Sequence, residues 1–379
     1  MTGVRILHLV TRSQRRGAEL VAVELARGLD SLGHANRVLA LGLGFDGGED
    51  VDLPPLTRRS DGGIRALWLG ARALRRHLAR EPVDILIAHG GRAVEAAVLA
   101  RRRGRPLIVW QRILGFPTHM WRPVRRLRWR VIVSRIDAAV ALTPELGDEL
   151  GRLGFDGPIW AIANFRDPEP FVAVDRDAAA VALRAELGVS RNVGLIGFVG
   201  HLIAQKRPDR ALDALAGIHR LGEQAHLVVA GDGPLRNQFE LDVVDRGLVG
   251  FVHVLGYRND IPQILAAIDV VILTSDSEGL PGVLIEAQMA GCPVVTVPVG
   301  GVRDLVDDGE TGFVIDGLDP EMLARRVVDL LRDPQLRERM GERARRRAVR
   351  FSSTRAAGTY AARLAEVVGR GDGNVASRP

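Results

Sequence analysis

The fold of this chain is decided by one stretch, which reads Thr274-Ser-Asp-Ser-Glu-Gly-Leu-Pro-Gly-Val-Leu-Ile-Glu-Ala-Gln-Met-Ala-Gly-Cys-Pro-Val-Val-Thr296. Residues 269–273, just before it, are typical of a buried parallel strand. Residues 283–290 predict a helix that ends at Gly291, and residues 293–297 predict a second buried strand. In open α/β sheets, ligands bind where the strands of such strand–loop–helix–strand units end.

Two carboxylates, Glu278 and Glu286, lie in the loop and in the helix of this unit. The N-terminus of the helix offers free N–H groups to an anion. Two carboxylates around such a phosphate cradle indicate a nucleotide-sugar site. An ordinary surface pair is the alternative interpretation, and the remainder of the chain has to distinguish the two.

Strands and helices alternate along the whole chain, which predicts parallel sheets. The alternation stops at a proline-containing break, residues 164–170, and restarts with a strand at 193–199. We therefore expect an α/β protein with two Rossmann-like, doubly wound domains that face each other across a cleft. The predicted boundaries are 1–164 for the first domain, 165–192 for a linker, 193–350 for the second domain, and 351–379 for a C-terminal helix that packs back towards the first domain and a loose tail.

Charge is distributed unevenly between the two halves of the 379-residue chain. Residues 1–164 hold 26 arginines and 16 acidic residues, a net charge of +10, whereas residues 165–379 have a net charge of −4. The basic half implies an anionic partner: a membrane surface, an acidic substrate or nucleic acid. The chain has no nucleic-acid recognition module, so nucleic acid is not expected as a partner.

A helix predicted at residues 123–134 concentrates this positive charge. It carries Arg125, Arg126, Arg128 and Arg130 beside Trp121 and Trp129. We expect it to be attracted to anionic lipid headgroups, with both tryptophans at the membrane interface. A solvated basic face is the alternative interpretation.

Several features predict a cytoplasmic protein, located peripherally at the inner face of the cell membrane where the basic helix meets lipid. The N-terminus lacks the charged, apolar and cleavable regions of a signal peptide. No apolar run approaches ~18 residues, and the single Cys292 suits a reducing compartment. The loop after the first strand has no Gly-x-Gly-x-x-Gly motif, which argues against a nicotinamide or flavin oxidoreductase.

Lysine is almost absent from the chain: Lys206 is the only one among 52 lysine and arginine residues. A surviving lysine suggests a site that needs a compact ammonium group on a flexible stem. Chance survival is the alternative.

Six sequence elements of the second half occur in a characteristic order: Gly200-His201 with Lys206, Ala230-Gly-Asp-Gly-Pro234, Gly256, Glu278-x7-Glu286, Gly291-Cys-Pro-Val-Val, and Gly300-Gly301. In the first half, Arg15-Arg-Gly17-Ala-Glu19 is similar to an N-terminal glycine loop. Over residues 1–365 the chain resembles the retaining glycosyltransferases of family 4, which have the two-domain GT-B fold. The first domain is then the acceptor side and the second binds the nucleotide sugar.

The resemblance implies a role for each matched residue. Glu286 binds the ribose hydroxyls, Glu278 faces the transferred sugar, and Lys206 pairs with the leaving diphosphate. Gly17 lets the backbone of the first domain approach the donor, and the backbone at Tyr257 and Arg258 binds the base. The loop residues expected near the sugar and the diphosphate are Gly279, Leu280, Pro281, Gly282 and Val283.

Two positions depart from the family pattern. His201 stands where arginine is usual, so the cation pair of the donor site is Lys206 with a titratable partner. Gln111-Arg112 stands where many members have an acceptor-side histidine. Arg112 could instead hold an anionic acceptor, and His89 at the end of a predicted strand is a second acceptor-side candidate.

The predicted function is retaining transfer of a sugar from a nucleoside diphosphate sugar to a glycan or glycolipid acceptor, in the biosynthesis of cell-surface polysaccharide or glycolipid. We assign no cofactor and no metal. The run Asp276-Ser-Glu278 mimics a metal signature, but that signature belongs to a different transferase fold. The enzymatic alternatives are a nucleotide-sugar epimerase and an inverting transferase. The non-enzymatic alternative is an inactive homologue that binds nucleotide or glycan.

Overall fold

A computed structural model of the protein describes residues 3–14, 17–44, 50, 52–59, 63–102, 104–113, 115, 121–317 and 319–375, with side chains to residue 369. The chain folds into two compact units, Met1–Phe165 with Ser353–Pro379, and Arg166–Ser352. No helix among the described residues is long and apolar enough to cross a membrane.

The first unit contains one six-stranded parallel sheet. Its strands are β1 (Arg5–Ser13), β2 (Ala35–Leu43), β3 (Ile85–His89), β4 (Leu107–Arg112), β5 (Ala138–Ala141) and β6 (Ile159–Ala161). Its helices are α1 (Gly17–Ser31), α2 (Ile64–Arg80), α3 (Gly91–Ala100), α4 (Pro123–Val133), α5 (Pro144–Arg152) and α15 (Ser353–Val375). The strand order β2-β1-β3-β4-β5-β6 is that of a doubly wound sheet.

Successive residues of these strands face two different helical layers. Leu86 and Ile108 join an apolar cluster with residues of α2, α3 and α4. Their neighbours Ile85 and Leu107 join a second cluster with residues of α1 and α15. Because both faces of the sheet are covered, the strands are continuously apolar rather than alternating.

The C-terminal helix α15 completes the second of these layers. Tyr360 is fully buried and meets Trp160 and Phe165 edge-on, with ring centroids 6.5 and 6.3 Å away. Burial raises the pKa of its hydroxyl, and that hydroxyl has no hydrogen-bond partner among the described residues. Tyr360 therefore contributes to stability through its ring.

The second unit repeats the plan. Its strands are β7 (Gly194–Val199), β8 (Ala225–Ala230), β9 (Val252–Gly256), β10 (Val270–Leu273), β11 (Val294–Thr296) and β12 (Gly312–Val314), in the parallel order β12-β11-β10-β7-β8-β9. Its helices are α6 (Glu169–Val172), α7 (Arg176–Leu187), α8 (Pro208–Arg220), α9 (Arg236–Asp245), α10 (Ile261–Ala267), α11 (Gly282–Ala290), α12 (Val302–Leu305), α13 (Pro320–Arg332) and α14 (Pro334–Ala348). The predicted parallel α/β architecture is confirmed in both units.

The segment predicted as a linker, residues 165–192, belongs to the second unit from Arg166 onward. The Asp175 side chain caps α7 by accepting from the N–H groups of Asp177 and Ala178. The guanidinium of Arg184, on α7, donates to Val193 O and to Asp269 at the start of β10. Pro168 and Pro170, which suggested a linker, both lie at the start of one short helix, α6.

Replacement of Tyr360 tests the role of α15 in the first unit. Tyr360→Phe removes a buried hydroxyl without a partner, so the free energy of unfolding should rise by about 1 kcal/mol. Tyr360→Ala leaves a cavity and should lower it by about 3–5 kcal/mol. All five tryptophans lie in the first unit, so tryptophan fluorescence during denaturant unfolding reports on that unit. Equal destabilisation by both changes would contradict the assignment.

Candidate active site

The sheet of the second unit reverses its winding direction between β7 and β10, which are neighbours. The loops that leave the carboxyl ends of these strands, residues 200–207 and 274–281, therefore start side by side, where ligand crevices form in such sheets. Hydrogen bonds join the loops: Gln205 Nε2 donates to Ser277 O at 2.7 Å, and Asp276 N donates to Gln205 O at 2.9 Å. These hydrogen bonds hold the two loops together at the switch point of the sheet.

Lys206 and Glu278 meet at this point. Lys206 Nζ lies 2.6 Å from Glu278 Oε1, and Ser275 Oγ donates to the same oxygen at 2.6 Å. The Glu278 side chain is only 8% exposed and that of Lys206 22%, so solvent screens the pair weakly. The structure brings together two site residues that are 72 positions apart in the sequence.

The backbone of Arg207 has an unusual conformation. Its φ of 50° is the only positive value for a non-glycine residue in the described part of the chain. Hydrogen bonds to Asp209 raise the pKa of Arg207, and Asp276 pairs with Arg207 and, at 2.7 Å, with Arg210. This network of ion pairs fixes the turn that directly follows Lys206. It also pairs the Asp276 carboxylate with two arginines.

Helix α11 carries Glu286 and begins at Gly282. Of the predicted loop residues, Gly279, Leu280 and Pro281 are buried, whereas Gly282 and Val283 in the first turn of α11 are half-buried. Glu286 Oε1 accepts a hydrogen bond from Arg166 Nε at 2.5 Å, and Arg166 is 4% exposed. The Arg166 guanidinium also lies against Gly282 in the first turn of α11. Arg166 is thus a neighbour of both the first turn and the Glu286 carboxylate.

Arg166 is a site residue that the sequence does not predict. Residues 164–170 are predicted only as a break between two domains, and the one signal of another role is the charged residue directly after Phe165. A break in the pattern of strands and helices does not predict where a side chain points.

The other end of α11 is held by two arginines. Arg176 Nη1 donates to Ala290 O and to Gly291 O, both at 2.7 Å, and Arg345 Nη1 approaches Ala290 O at 3.5 Å. Cations at a helix C-terminus are favoured by the helix dipole. These contacts fix the helix that carries Glu286.

Gly300 and Gly301 lie against the backbone of the loop that carries Glu278. A Cβ on Gly300, whose φ is +53°, would lie 2.1 Å from Glu278 O. Gly301 N donates to Gly279 O at 2.7 Å. The predicted Gly300-Gly301 element thus positions the backbone of the Glu278 loop.

The other predicted donor-side residues lie at several places. His201 is half-buried in the loop after β7, and Tyr257 is exposed after β9. Hydrogen bonds to Asp260 and to Glu186 raise the pKa of Arg258. In the first unit, Gly17 is the exposed first residue of α1, and residues 15 and 16 of the predicted glycine loop lie outside the described residues.

Arg112, the first acceptor-side candidate, is 1% exposed and pairs with Glu149. Burial lowers its pKa to about 10, and the Glu149 carboxylate partly offsets this effect. Its charge is engaged by a carboxylate on α5 rather than presented to solvent.

His89, the second candidate, belongs to a buried hydrogen-bonded chain. Asn36 Nδ2 donates to Asp30, so Asn36 Oδ1 accepts from His8 Nε2 at 3.0 Å. His8 Nδ1 is then an acceptor, and His89 Nε2 donates to it at 3.1 Å. Burial lowers the pKa of His8 to about 4; burial, and then the neighbouring His8, lower that of His89 well below its usual value. The pair is neutral and joins β1 to β3.

The prediction that Trp129 lies at a membrane interface is wrong. Trp129 is 4% exposed and stacks on Trp110 with ring centroids 5.3 Å apart, and Trp121 packs against the same core cluster. The exposed apolar residues of α4 are Val124, Leu127 and Val131. Their i, i+3, i+7 spacing places them opposite the buried face that carries Trp129.

Among the residues that the structure describes, no cluster of three or more His, Cys, Asp or Glu side chains could hold a metal ion. The polar groups at the switch point are instead suited to an anionic and hydroxyl-rich ligand.

Two family models match the chain. One, described as "Glycosyltransferase Family 4", matches residues 15–170, and the other, "Glycosyl transferases group 1", matches residues 182–347. Together they include every donor-side and acceptor-side residue predicted from the sequence.

Individual proteins are similar to the chain over most of its length. An alpha-D-kanosaminyltransferase of Streptomyces kanamyceticus is 30% identical, over 71% of this chain and 74% of that protein. The lipopolysaccharide core biosynthesis glycosyltransferase LpsE of Rhizobium meliloti is 29% identical, over 71% and 72%. The crystal structure of Anabaena Alr3699/HepE in complex with UDP-glucose superimposes with a TM-score of 0.79 at 23% identity, over 96% of this chain and 100% of that one.

The buried histidine pair predicts how stability depends on pH. Both pKa values are lowered in the folded state, so the unfolded state binds protons first, and stability falls as pH drops from about 6.5 towards 4. In His8→Gln, unfolding of the first unit, followed by tryptophan fluorescence, should depend less on pH than in the wild type. His34→Gln, at a half-buried histidine of the same unit, is the matched control. Parallel pH profiles for His8→Gln and the wild type would contradict this.

Proposed function

The chain belongs to family 4 of the glycosyltransferases, and we propose that it is a retaining enzyme that transfers a sugar from a nucleoside diphosphate sugar to a hydroxyl of a glycan or glycolipid. Such an activity serves the biosynthesis of cell-surface polysaccharide or glycolipid. The observation that carries the proposal is the Lys206–Glu278 pair at the switch point of the second unit.

The chemistry assigns Lys206 to the leaving group. Cleavage of the anomeric C–O bond transfers an electron pair to the diphosphate, whose negative charge increases in the transition state. Cations already in place and N–H groups at a helix N-terminus lower the free energy of that state. Lys206 supplies the ammonium group, the first turn of α11 supplies N–H groups, and His201 is the further donor-side candidate.

The two carboxylates bind hydroxyl groups. Glu286 accepts hydrogen bonds from the ribose diol, and Glu278 accepts from hydroxyls of the transferred sugar. Glu278 also keeps the Lys206 ammonium at a defined place until the diphosphate binds. Backbone at Tyr257 and Arg258 contacts the base.

Retention follows when the acceptor hydroxyl attacks the anomeric carbon from the face that the diphosphate leaves. A diphosphate oxygen takes the hydroxyl proton, so no protein base is needed. Positioning and charge stabilisation then account for the catalysis. A UDP-glucose complex of the similar HepE structure supports a nucleoside diphosphate sugar as the donor. The similar lipopolysaccharide core biosynthesis enzyme supports a glycan or glycolipid as the acceptor.

Product analysis separates the enzymatic alternatives. A retaining transferase yields a glycoside with the anomeric configuration of the donor, whereas an inverting transferase yields the opposite one and an epimerase yields no glycoside. Binding of a nucleoside diphosphate with neither transfer nor donor hydrolysis would indicate the inactive homologue.

Substitution of Lys206 tests the mechanism. Lys206→Met should lower kcat for donor hydrolysis or transfer by about 10²–10³, because loss of one such stabilising donor typically has this effect. Glu286→Gln should mainly raise KM for the donor. Arg339→Met, which replaces an exposed arginine of α14, should change neither constant. Unaltered rates in both site variants would exclude the assignment.

The face of the first unit that carries α2 and α4 supports a membrane partner. Both helices pack on the same side of the sheet, and neither contains an acidic residue. They carry Arg65, Arg72, Arg75, Arg76, Arg80, Arg125, Arg126, Arg128 and Arg130. Between these arginines lie exposed apolar side chains, Trp68 on α2 and Leu127 on α4 among them. We propose that this basic face binds the anionic inner leaflet.

Vesicle binding tests the basic face. The wild type should sediment with phosphatidylcholine vesicles that contain 30% phosphatidylglycerol and should remain in solution with phosphatidylcholine alone. Leu127→Asp should reduce sedimentation several-fold, because it removes apolar contact and adds like charge. Val244→Asp, at an exposed valine of α9, is the matched control. Sedimentation that is the same for both vesicle types, or unchanged in Leu127→Asp, would contradict this.

A further inference from the structure

Arg166 is the first residue of the second unit, and its backbone is fixed there. Arg166 N donates to Phe351 O at 3.0 Å, and Arg166 pairs with Ser352 in a parallel bridge. Its side chain is directed into the unit and is 4% exposed. An arginine is rarely so buried unless its charge is engaged.

The guanidinium group spans the first turn of α11. Its Nε donates to Glu286 Oε1 at 2.5 Å. Its Nη2 lies so close to Gly282 that a Cβ on that residue would be 1.9 Å from it. A planar fork can contact a carboxylate and lie against a helix backbone at once, whereas the single ammonium group of lysine cannot.

A cation beside the N-terminus of α11, such as Arg166, needs a negative charge close by. The N-terminus of α11 carries partial positive charge, which disfavours a cation. Glu286, one turn into the helix, supplies the compensating negative charge. The Arg166 contact also orients the carboxylate, because Oε1 is held while the remaining lone pairs stay available to hydroxyl donors.

We propose that Arg166 is a positioning residue of the donor site, which holds Glu286 in the orientation that binds the ribose diol and requires glycine at residue 282. The inference rests on the proposed function, since it is the donor ribose that gives Glu286 its task. Arg176 and Arg345 contact the opposite end of α11 and cannot replace Arg166 in this role.

Discrimination between ribose and deoxyribose isolates this role. Calorimetry on the full chain gives the Kd of UDP, GDP and ADP, and then the Kd of the 2′-deoxy form of the one that binds. The wild type should bind the ribose form about 10–100 times more tightly, the usual effect of a hydrogen bond to a charged group. In Arg166→Met this ratio should fall to within about threefold of one, and Arg339→Met should keep the wild-type ratio.

The outcomes separate the inference from the function on which it rests. If no nucleoside diphosphate binds the wild type, the proposed function fails, and the inference fails with it. If Arg166→Met weakens both forms equally and keeps the ratio, Arg166 has only a general structural role and the proposed function stands. Should Arg166→Met not fold, Arg166→Lys keeps a cation beside Glu286 but lacks the fork, so its ratio should also fall. A wild-type ratio in Arg166→Lys would overturn the inference.

A double-mutant comparison adds a second test. Gly282→Ala places a Cβ where Arg166 Nη2 lies, so it should displace the guanidinium and lower the ratio as Arg166→Met does. Because both changes disrupt one contact, the double variant should have the same ratio as Arg166→Met alone. Independent, multiplying effects on the ratio would contradict the proposed contact.

Discussion

The adjacency of β7 and β10 is the constraint on which the site depends. Parallel strands end at the same edge of a sheet, so the two loops that follow them are neighbours although 72 residues separate Lys206 from Glu278. Ser275, Gln205 and the glycine pair at 300–301 then fix these loops at the level of single atoms. Without this strand order, the lysine and the carboxylate would be two unrelated surface charges of little energetic consequence.

Arginine side chains make the charged contacts that hold the elements of the candidate site in place. Arg166 holds one end of α11, Arg176 and Arg345 hold the other, and Arg207 fixes the turn beside Lys206. Arg207 uses the planar fork of its guanidinium group, because Nε and Nη2 both donate to Asp209, and Arg176 Nη1 donates to two carbonyl oxygens at once. The surviving lysine differs in kind, since its single ammonium group meets one carboxylate oxygen.

The fold could be predicted from the sequence because it depends on periodicity and order: apolar runs and glycines marked the parallel strands and their carboxyl ends. In the candidate site, the loop after β10 singled out Glu278, whereas the scarcity of lysine and the order of the motifs singled out Lys206. Features that depend on which way one side chain points were not predictable. Trp129 is an amphipathic residue on a basic helix whether it faces lipid or Trp110, and only packing against the sheet decides. Arg166 lay in a proline-rich segment without periodicity, and the capping role of Asp175 in α7 was obscured for the same reason.

Lys206 and Arg166, the two cations of the proposed donor site, differ in how they can respond to a ligand. Lys206 lies in the loop after β7, and its side chain is 22% exposed and pairs with Glu278. Its flexible stem can carry the ammonium from Glu278 to a phosphate oxygen, and Ser275 Oγ remains as a hydrogen-bond donor to the carboxylate. Arg166 is 4% exposed, with its backbone bonded to Phe351 and its fork against Gly282 and Glu286. Moving it would break these contacts and leave the half-buried Glu286 carboxylate without this counter-ion, which is unfavourable. The group suited to following charge as it develops is therefore Lys206, and the group suited to holding a ligand in register is Arg166.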